Sequence, residues 1–210
     1  IYLKVRDVYP NSLLLESSDY HSKENSYSFI CLEPQAEFQV ELGIARIRLP
    51  GEEEEKIQVD KDNSAVDLLN AFVSSFRIEN LDQEVKVDGV FGYCTYDAVQ
   101  YFEDIVLEGP GSAKEDIPEI RYSFFRFIIA INHMSNELYL IENIVNGGES
   151  RIHEVRSLLQ NRNIATYGFD TLGMEGSNLD DEEYCNIVRK GKEHCYRGDN
   201  ESFFHAESLS

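Results

Sequence analysis

Gly92-Tyr93-Cys94-Thr95-Tyr96-Asp97-Ala98-Val99-Gln100-Tyr101-Phe102-Glu103 is the stretch that governs the reading of this chain. The apolar pair Val90-Phe91 leads into a Gly-aromatic bend. A Tyr-Asp pair follows, and an acid stands behind two aromatics. This order is much rarer than a generic strand, turn and helix. Just upstream, Val85 and Val87 alternate with Lys86 and Asp88, so a strand is predicted over 85–93. Downstream, residues 97–103 are predicted to form one or two helical turns. Tyr96-Asp97 is expected to be a buried phenol hydrogen-bonded to a helix-capping carboxylate.

Outward from this stretch the chain alternates β-prone runs with amphipathic segments. Leu13-Leu14-Leu15-Glu16 reads as a short buried strand, and Ser22-Lys23-Glu24-Asn25 as a polar loop. Tyr27-Ser28-Phe29-Ile30-Cys31-Leu32 reads as the next strand, closed by Pro34. Glu37 to Val40 alternates, Gly43 supplies a turn, and Ile44, Ile47 and Leu49 continue a hairpin partner. The acids Glu52 to Glu55 read as a solvated loop tip. Ser64 with Asp67 resembles a capping box ahead of an amphipathic helix carrying Val66, Leu69, Phe72, Val73 and Phe76. Gly109-Pro110-Gly111-Ser112 opens a loop that runs on to Pro118. Tyr122–Ile131 and Glu137–Ile141 are β-prone and flank a turn at His133-Met134-Ser135-Asn136. Ser150 is predicted to cap a helix bearing Ile152, Val155, Leu158 and Leu159. Residues 165–178 are linker-like. Asp180-Asp181-Glu182-Glu183 then starts a helix running to about Tyr196, its acids well placed at the N-terminus. The fold class implied is α+β: mostly antiparallel sheets built of hairpins, layered with covering helices.

At 210 residues the chain is long enough for one large or two small domains with a real core. Its 39 acids against 19 bases give a formal charge of −20, which repels phosphate backbones and anionic lipid. No nucleic-acid or membrane partner is therefore expected. The longest apolar run, Phe127 to Ile131, is far too short to span a bilayer, and no signal peptide is recognised. Cys31, Cys94, Cys185 and Cys195 are scattered without a Cys-x-x-Cys pair, so no zinc site is expected and reduced thiols in the cytoplasm are.

Catalytic patterns are missing from the sequence. His21, His133, His153, His194 and His205 are dispersed, and His133 reads as a hairpin residue. No nucleophile elbow and no phosphate-binding loop is found. No catalytic and no metal-ligating residue is assigned. Two places suggest a ligand: the Tyr93–Glu103 segment described above and the Leu14–Ser18 segment. In Leu14-Leu15-Glu16-Ser17-Ser18, a carboxylate and two hydroxyls directly follow an apolar strand. Glu16 can meet an ammonium group, Ser17 a carboxylate or backbone group, and the leucines form an apolar wall. A strand end whose Glu and Ser simply face water remains the alternative.

Taken in order, these segments resemble component I of anthranilate synthase, within the chorismate-utilising enzymes. Leu14-Leu15-Glu16-Ser17 matches that family's L-L-E-S element. Tyr27-Ser28-Phe29-Ile30 matches its aromatic-Ser strand, and Gly92 to Glu103 its GY…YD…E element. Asp116-Ile117-Pro118-Glu119-Ile120, the Asn132-His133 turn and Arg197-Gly198-Asp199 follow in the family's order. Ser26 stands where relatives usually carry a basic residue, which leaves Lys23 as a candidate partner for an effector carboxylate. After Asp199 the tail Asn200 to Ser210 departs from the family's continuation.

The resemblance implies the following expectations. Residues 1–165 are the N-terminal regulatory domain. Residues 166–210 are a linker, a helix and the truncated start of the chorismate-binding domain. Leu15, Glu16 and Ser17 bind L-tryptophan as feedback inhibitor. The parent enzyme is a lyase that turns chorismate and ammonia into anthranilate and pyruvate, using Mg²⁺ and a glutamine amidotransferase subunit. This segment carries no cofactor and is inactive without the catalytic half of its own chain. The apolar face left open is expected to support a homodimer. The rival readings are the matching portion of aminodeoxychorismate synthase component I and a stand-alone binding module.

Overall fold

The computed structural model describes residues 1–16, 26–77, 79, 87, 89–105, 117–161, 168, 170, 172–173 and 176–198. The chain divides into two compact units, Ile1–Ala165 and Thr166–Ser210. In the first, the elements run α1 (Tyr2–Val5), β1 (Leu13–Leu15), β2 (Tyr27–Glu41), β3 (Ile44–Arg48), β4 (Glu55–Gln58), α2 (Ala65–Ser74) and β5 (Phe91–Cys94). A 3-10 helix (Tyr96–Tyr101), β6 (Ile120–Asn132), β7 (Glu137–Glu142) and α3 (Ile152–Gln160) complete it. The second unit holds α4 (Asp181–Arg197). The predicted α+β class with antiparallel strands is what the structure has.

Among the described residues seven strands join one antiparallel sheet, with order β4-β3-β2-β6-β5 and with β1 on β2 and β7 on β6. Its frame is the pair β2–β6, in register from Tyr27↔Asn132 to Val40↔Ile120. The short strands flank different parts of this pair. β1 lies on Phe29–Cys31 and β7 on Phe127–Asn132 at one end; β3 lies on Glu37–Glu41 and β5 on Ile120–Ser123 at the other.

Pro34 does not end the strand, contrary to the sequence expectation. β2 runs through it, with a register shift between Pro34 and Ala36 and Glu33 in the left-handed region at φ +58°. A bulge is one of the few sites in a sheet where a residue without an N–H is tolerated. The β2–β3 turn is as expected. Leu42 and Gly43 both have positive φ, which matches the twist of a two-residue hairpin.

Three apolar clusters hold the unit together. Phe38, Val40, Ile120 and Phe124 meet Phe72 of α2 and Ala98 of the 3-10 helix. Ile30, Leu32, Phe127 and Ile129 meet Val5 of α1 and Val155 of α3. Cys31, Phe125, Ile128 and Ala130 form the third, with Leu13, Phe29 and Phe91 packed against it. Burial pushes the Cys31 thiol up to about 12, so it stays a neutral apolar group.

Helix ends follow sequence logic in two cases. The Ser64 side chain accepts from Asp67 N–H, and Asp180 with Glu183 forms a capping box that opens α4. Gly198, left-handed at φ +76°, closes α4. α3 differs. Its N-cap position is Arg151, and Ser150 only assists. The capping carboxylate comes from β7. Glu142 accepts from the N–H groups of Arg151 (2.9 Å) and Ile152 (3.1 Å), from Ser150 Oγ (2.6 Å) and from Arg126 Nε (2.9 Å).

The Glu142 side chain is only 4% exposed and that of Arg126 14%. Burial alone pulls the Glu142 carboxyl upward, but the Ser150, Arg151 and Arg126 contacts outweigh it and hold the group below its usual value. A lowered folded value means that this stabilisation is complete above the unfolded carboxylate range and is lost as pH falls through the folded value. Glu142→Gln should therefore cost about 2–4 kcal/mol near neutral pH. Urea melts of both proteins should converge as pH drops below about 4.

Candidate functional site

Of the sequence-predicted ligand residues, Leu15 ends β1 and Glu16 follows it. Leu15 pairs with Phe29 and is half-buried. By strand alternation it shares a side with Leu13, which packs on the third cluster. Glu16 follows the strand and is exposed. Ser17 and Lys23 lie outside the described residues. So do the polar loop 22–25, the 109–112 loop, Val85, Lys86, Asp88, Asp116, Asp199 and the tail from Asn200. Beside Leu15 runs an aromatic strip. Tyr27 stacks on Phe29 at 6.0 Å, and Phe29 meets Phe91 at 5.6 Å.

The strip leads into a cleft of about 260 Å³ at the bulge. Leu13, Pro34, Phe91 and Phe125 make its apolar walls; Tyr93, Arg121 and Ser123 make the polar one. Arg121 donates to Glu37 through Nε (2.7 Å) and Nη2 (2.6 Å), and Glu37 also faces Arg48 at 3.5 Å. Burial raises the Tyr93 phenol while the charge of Arg121 opposes that rise, so the group remains a neutral donor. Tyr93 belongs to the stretch that the sequence singled out, whereas Arg121 and Ser123 were not singled out. The signal was present in β6, where Arg121 and Ser123 alternate with the apolar Tyr122 and Phe124.

A second cleft of about 470 Å³ shares Asn11 and Pro34 with the first. Its Arg151 is already matched. Arg151 donates from Nη1 to both Glu33 oxygens (3.0 and 3.1 Å), and from Nε and Nη2 to Glu154 (2.8 Å each). Those contacts, led by Glu154, raise the Arg151 guanidinium above its ordinary value.

The Gly92–Glu103 stretch turns out to be an anchor. Gly92 has no room for a side chain, since a Cβ there would lie 1.9 Å from the Arg121 carbonyl oxygen. Thr95 N–H donates to Glu119 O (2.8 Å), and the Tyr101 hydroxyl accepts from Gly43 N–H (3.1 Å). The buried Glu119 carboxylate accepts from Leu42 N–H (3.0 Å). Together these fasten the 3-10 helix and the start of β6 to the β2–β3 turn. The expected buried Tyr96 phenol is not found. Tyr96 is 80% exposed, and no side-chain cap bonds the helix start. Tyr101, at the other end of the 3-10 helix, is the phenol that reaches inward. The Cys94 thiol bond (3.6 Å), then burial, pushes the Tyr122 phenol up to about 12.

His133 sits in the β6–β7 turn as expected and shares a 2.7 Å hydrogen bond with Ser28 Oγ. Among the described residues no group of three or more His, Cys, Asp or Glu is placed to hold a metal ion. Among the described residues no helix is long and apolar enough to cross a membrane.

The sequence profile of the chorismate binding enzyme family matches residues 17–210. The chain belongs to that family. Two curated relatives agree with the resemblance read from its motifs. Anthranilate synthase component 1 of Pseudomonas aeruginosa is 25% identical over 95% of this chain and 42% of that protein. The protein of the same name from Methanothermobacter thermautotrophicus is 24% identical over 95% of this chain and 39% of that protein. The fold is similar to that of anthranilate synthase component I from Streptococcus pneumoniae, with a TM-score of 0.52 at 14% identity, covering 89% of this chain and 41% of that one. The family member described here thus spans about two fifths of the length of the relatives it matches.

The close approach at Gly92 gives a direct check on the anchor. Gly92→Ala forces β5 away from β6 backbone, and the loss should be about 2 kcal/mol or more in denaturant melts. An unchanged midpoint would show that β5 does not pack as described.

Proposed function

We propose that this chain is the N-terminal, tryptophan-sensing portion of the large subunit of anthranilate synthase, with the catalytic half lying elsewhere in the polypeptide. The carrying observation is the pattern of coverage. Relatives named anthranilate synthase component 1 align with 95% of this chain yet extend well beyond it. That shared name also favours this reading over aminodeoxychorismate synthase.

In this reading Leu15, Glu16 and Ser17 hold L-tryptophan. The indole enters beside Leu15 and the Tyr27–Phe29 strip, the ammonium meets Glu16, and Ser17 serves the carboxylate. Inhibition requires that the inhibited state hold tryptophan better than the active one. The complete enzyme acts in the cytoplasm as a lyase on chorismate, with Mg²⁺ in the catalytic half and ammonia from a glutamine amidotransferase subunit. The open apolar face of this segment then meets that half, and a homodimer forms through it when the half is absent.

Calorimetry on the purified chain should detect weak L-tryptophan binding, weakened further by Glu16→Ala and by Ser17→Ala. Affinity untouched by both substitutions would remove the assignment. The same preparation should form no anthranilate from chorismate, ammonia and Mg²⁺. Turnover above background would place catalysis inside these residues after all.

A further inference from the structure

We propose that the cleft beside Arg121 is a second ligand site that takes a small aromatic carboxylate. It opens at Leu13, the other end of β1 from Glu16, and does not rest on the tryptophan reading. Its volume of about 260 Å³ is below that of drug-sized sites and suits a single ring with its substituent. Leu13, Pro34, Phe91 and Phe125 present the apolar and aromatic surfaces between which a ring is held.

The polar wall is cationic, which is unusual in a chain of charge −20. Arg121 spends Nε and Nη2 on one oxygen of Glu37, and its Nη1 has no hydrogen-bond partner among the described residues. The other oxygen of Glu37 faces Nη2 of Arg48. Two guanidinium groups thus share one carboxylate. An arriving carboxylate supplies the missing negative charge: it accepts from Nη1 of Arg121 while Glu37 keeps Arg48 as a second partner. The neutral Tyr93 phenol on the same wall can donate a further hydrogen bond. Access is open, since the Arg121 side chain is 39% exposed. The second cleft lacks this feature because the Arg151 fork is already filled by Glu33 and Glu154.

The test is calorimetry of the purified chain with sodium benzoate at fixed ionic strength, beside acetate and benzylamine. Benzoate should bind saturably, and acetate and benzylamine far more weakly. Arg121→Gln should weaken benzoate about tenfold or more and Tyr93→Phe about threefold. Leu13→Trp, which fills the slot, should abolish binding while near-UV circular dichroism stays that of the parent. Glu16→Ala should leave benzoate affinity unchanged, separating this site from the one proposed for tryptophan. The proposal is overturned by no saturable benzoate binding, by acetate binding equally well, or by affinity that survives Arg121→Gln and Tyr93→Phe. A loss with Glu16→Ala equal to that with Arg121→Gln would overturn it too, because the two sites would then be one.

Discussion

Antiparallel pairing of β2 with β6 is the constraint on which this unit depends. The two strands come from distant parts of the chain; the Glu37–Arg121 ion pair across them joins residues 84 positions apart. Closing such a loop carries an entropic cost, although that cost grows only slowly with length. The apolar faces of the pair offset it. Ile30, Leu32, Phe38, Phe127, Ile128 and Ile129 are all fully buried, each burial contributing roughly 1.5–3 kcal/mol. The other strands are too short to stand alone; β1, β3, β5 and β7 take their register from an edge of this pair, and β4 takes its own from β3. Damage at the pair should therefore propagate to every flanking strand.

The bulge at Glu33–Pro34 divides the frame into two ends and gives each its own partners. At one end α1 and α3 cover Ile30 and Phe127; at the other α2 and the 3-10 helix cover Phe38. The turn out of regular pairing also frees the Glu33 carboxylate to reach Arg151 at the start of α3, 118 positions away. Glu142 receives the same helix end from the opposite direction. α3 is thus positioned by two carboxylates from two strands. A helix with a single local cap would have less to fix its orientation against the sheet.

Features encoded by neighbouring residues were legible in the sequence. Ser64 with Asp67 and Asp180 with Glu183 each satisfy their backbone groups within a few positions, so local chemistry suffices to read them. What escaped was settled by distant partners. Pro34 looked like a strand end because the bulge that tolerates it exists only once β6 is paired. Ser150 looked like a cap because Glu142 is on another element. Tyr96 looked buried because its neighbour Asp97 could cap, whereas Tyr101 and Glu119 supply the contacts that anchor the segment. The candidate ligand residues divide the same way. Leu15 and Glu16 were found through a contiguous motif, while Arg121 and Tyr93 come together only across the β5–β6 register.

The net charge of the chain is a poor guide to what the sheet can hold. Strand alternation places Glu37 and Gln39 opposite Phe38 and Val40, away from the helix-covered cluster. Register then sets Arg46 beside Gln39, Arg48 beside Glu37, Lys56 beside Arg46 and Arg121 beside Gln39. With Glu37 and Glu41 as the acids of β2 on this face, bases outnumber acids there, in a protein whose composition is the reverse. The surplus acids lie largely on exposed positions such as Glu52–Glu55 and the start of α4, where salt screens them beyond about 10 Å. Inside a partly desolvated cleft the nearest charges dominate. An anion reaching the Tyr93–Arg121 wall therefore meets guanidinium groups first, and the whole-chain excess of carboxylates affects chiefly how fast it arrives.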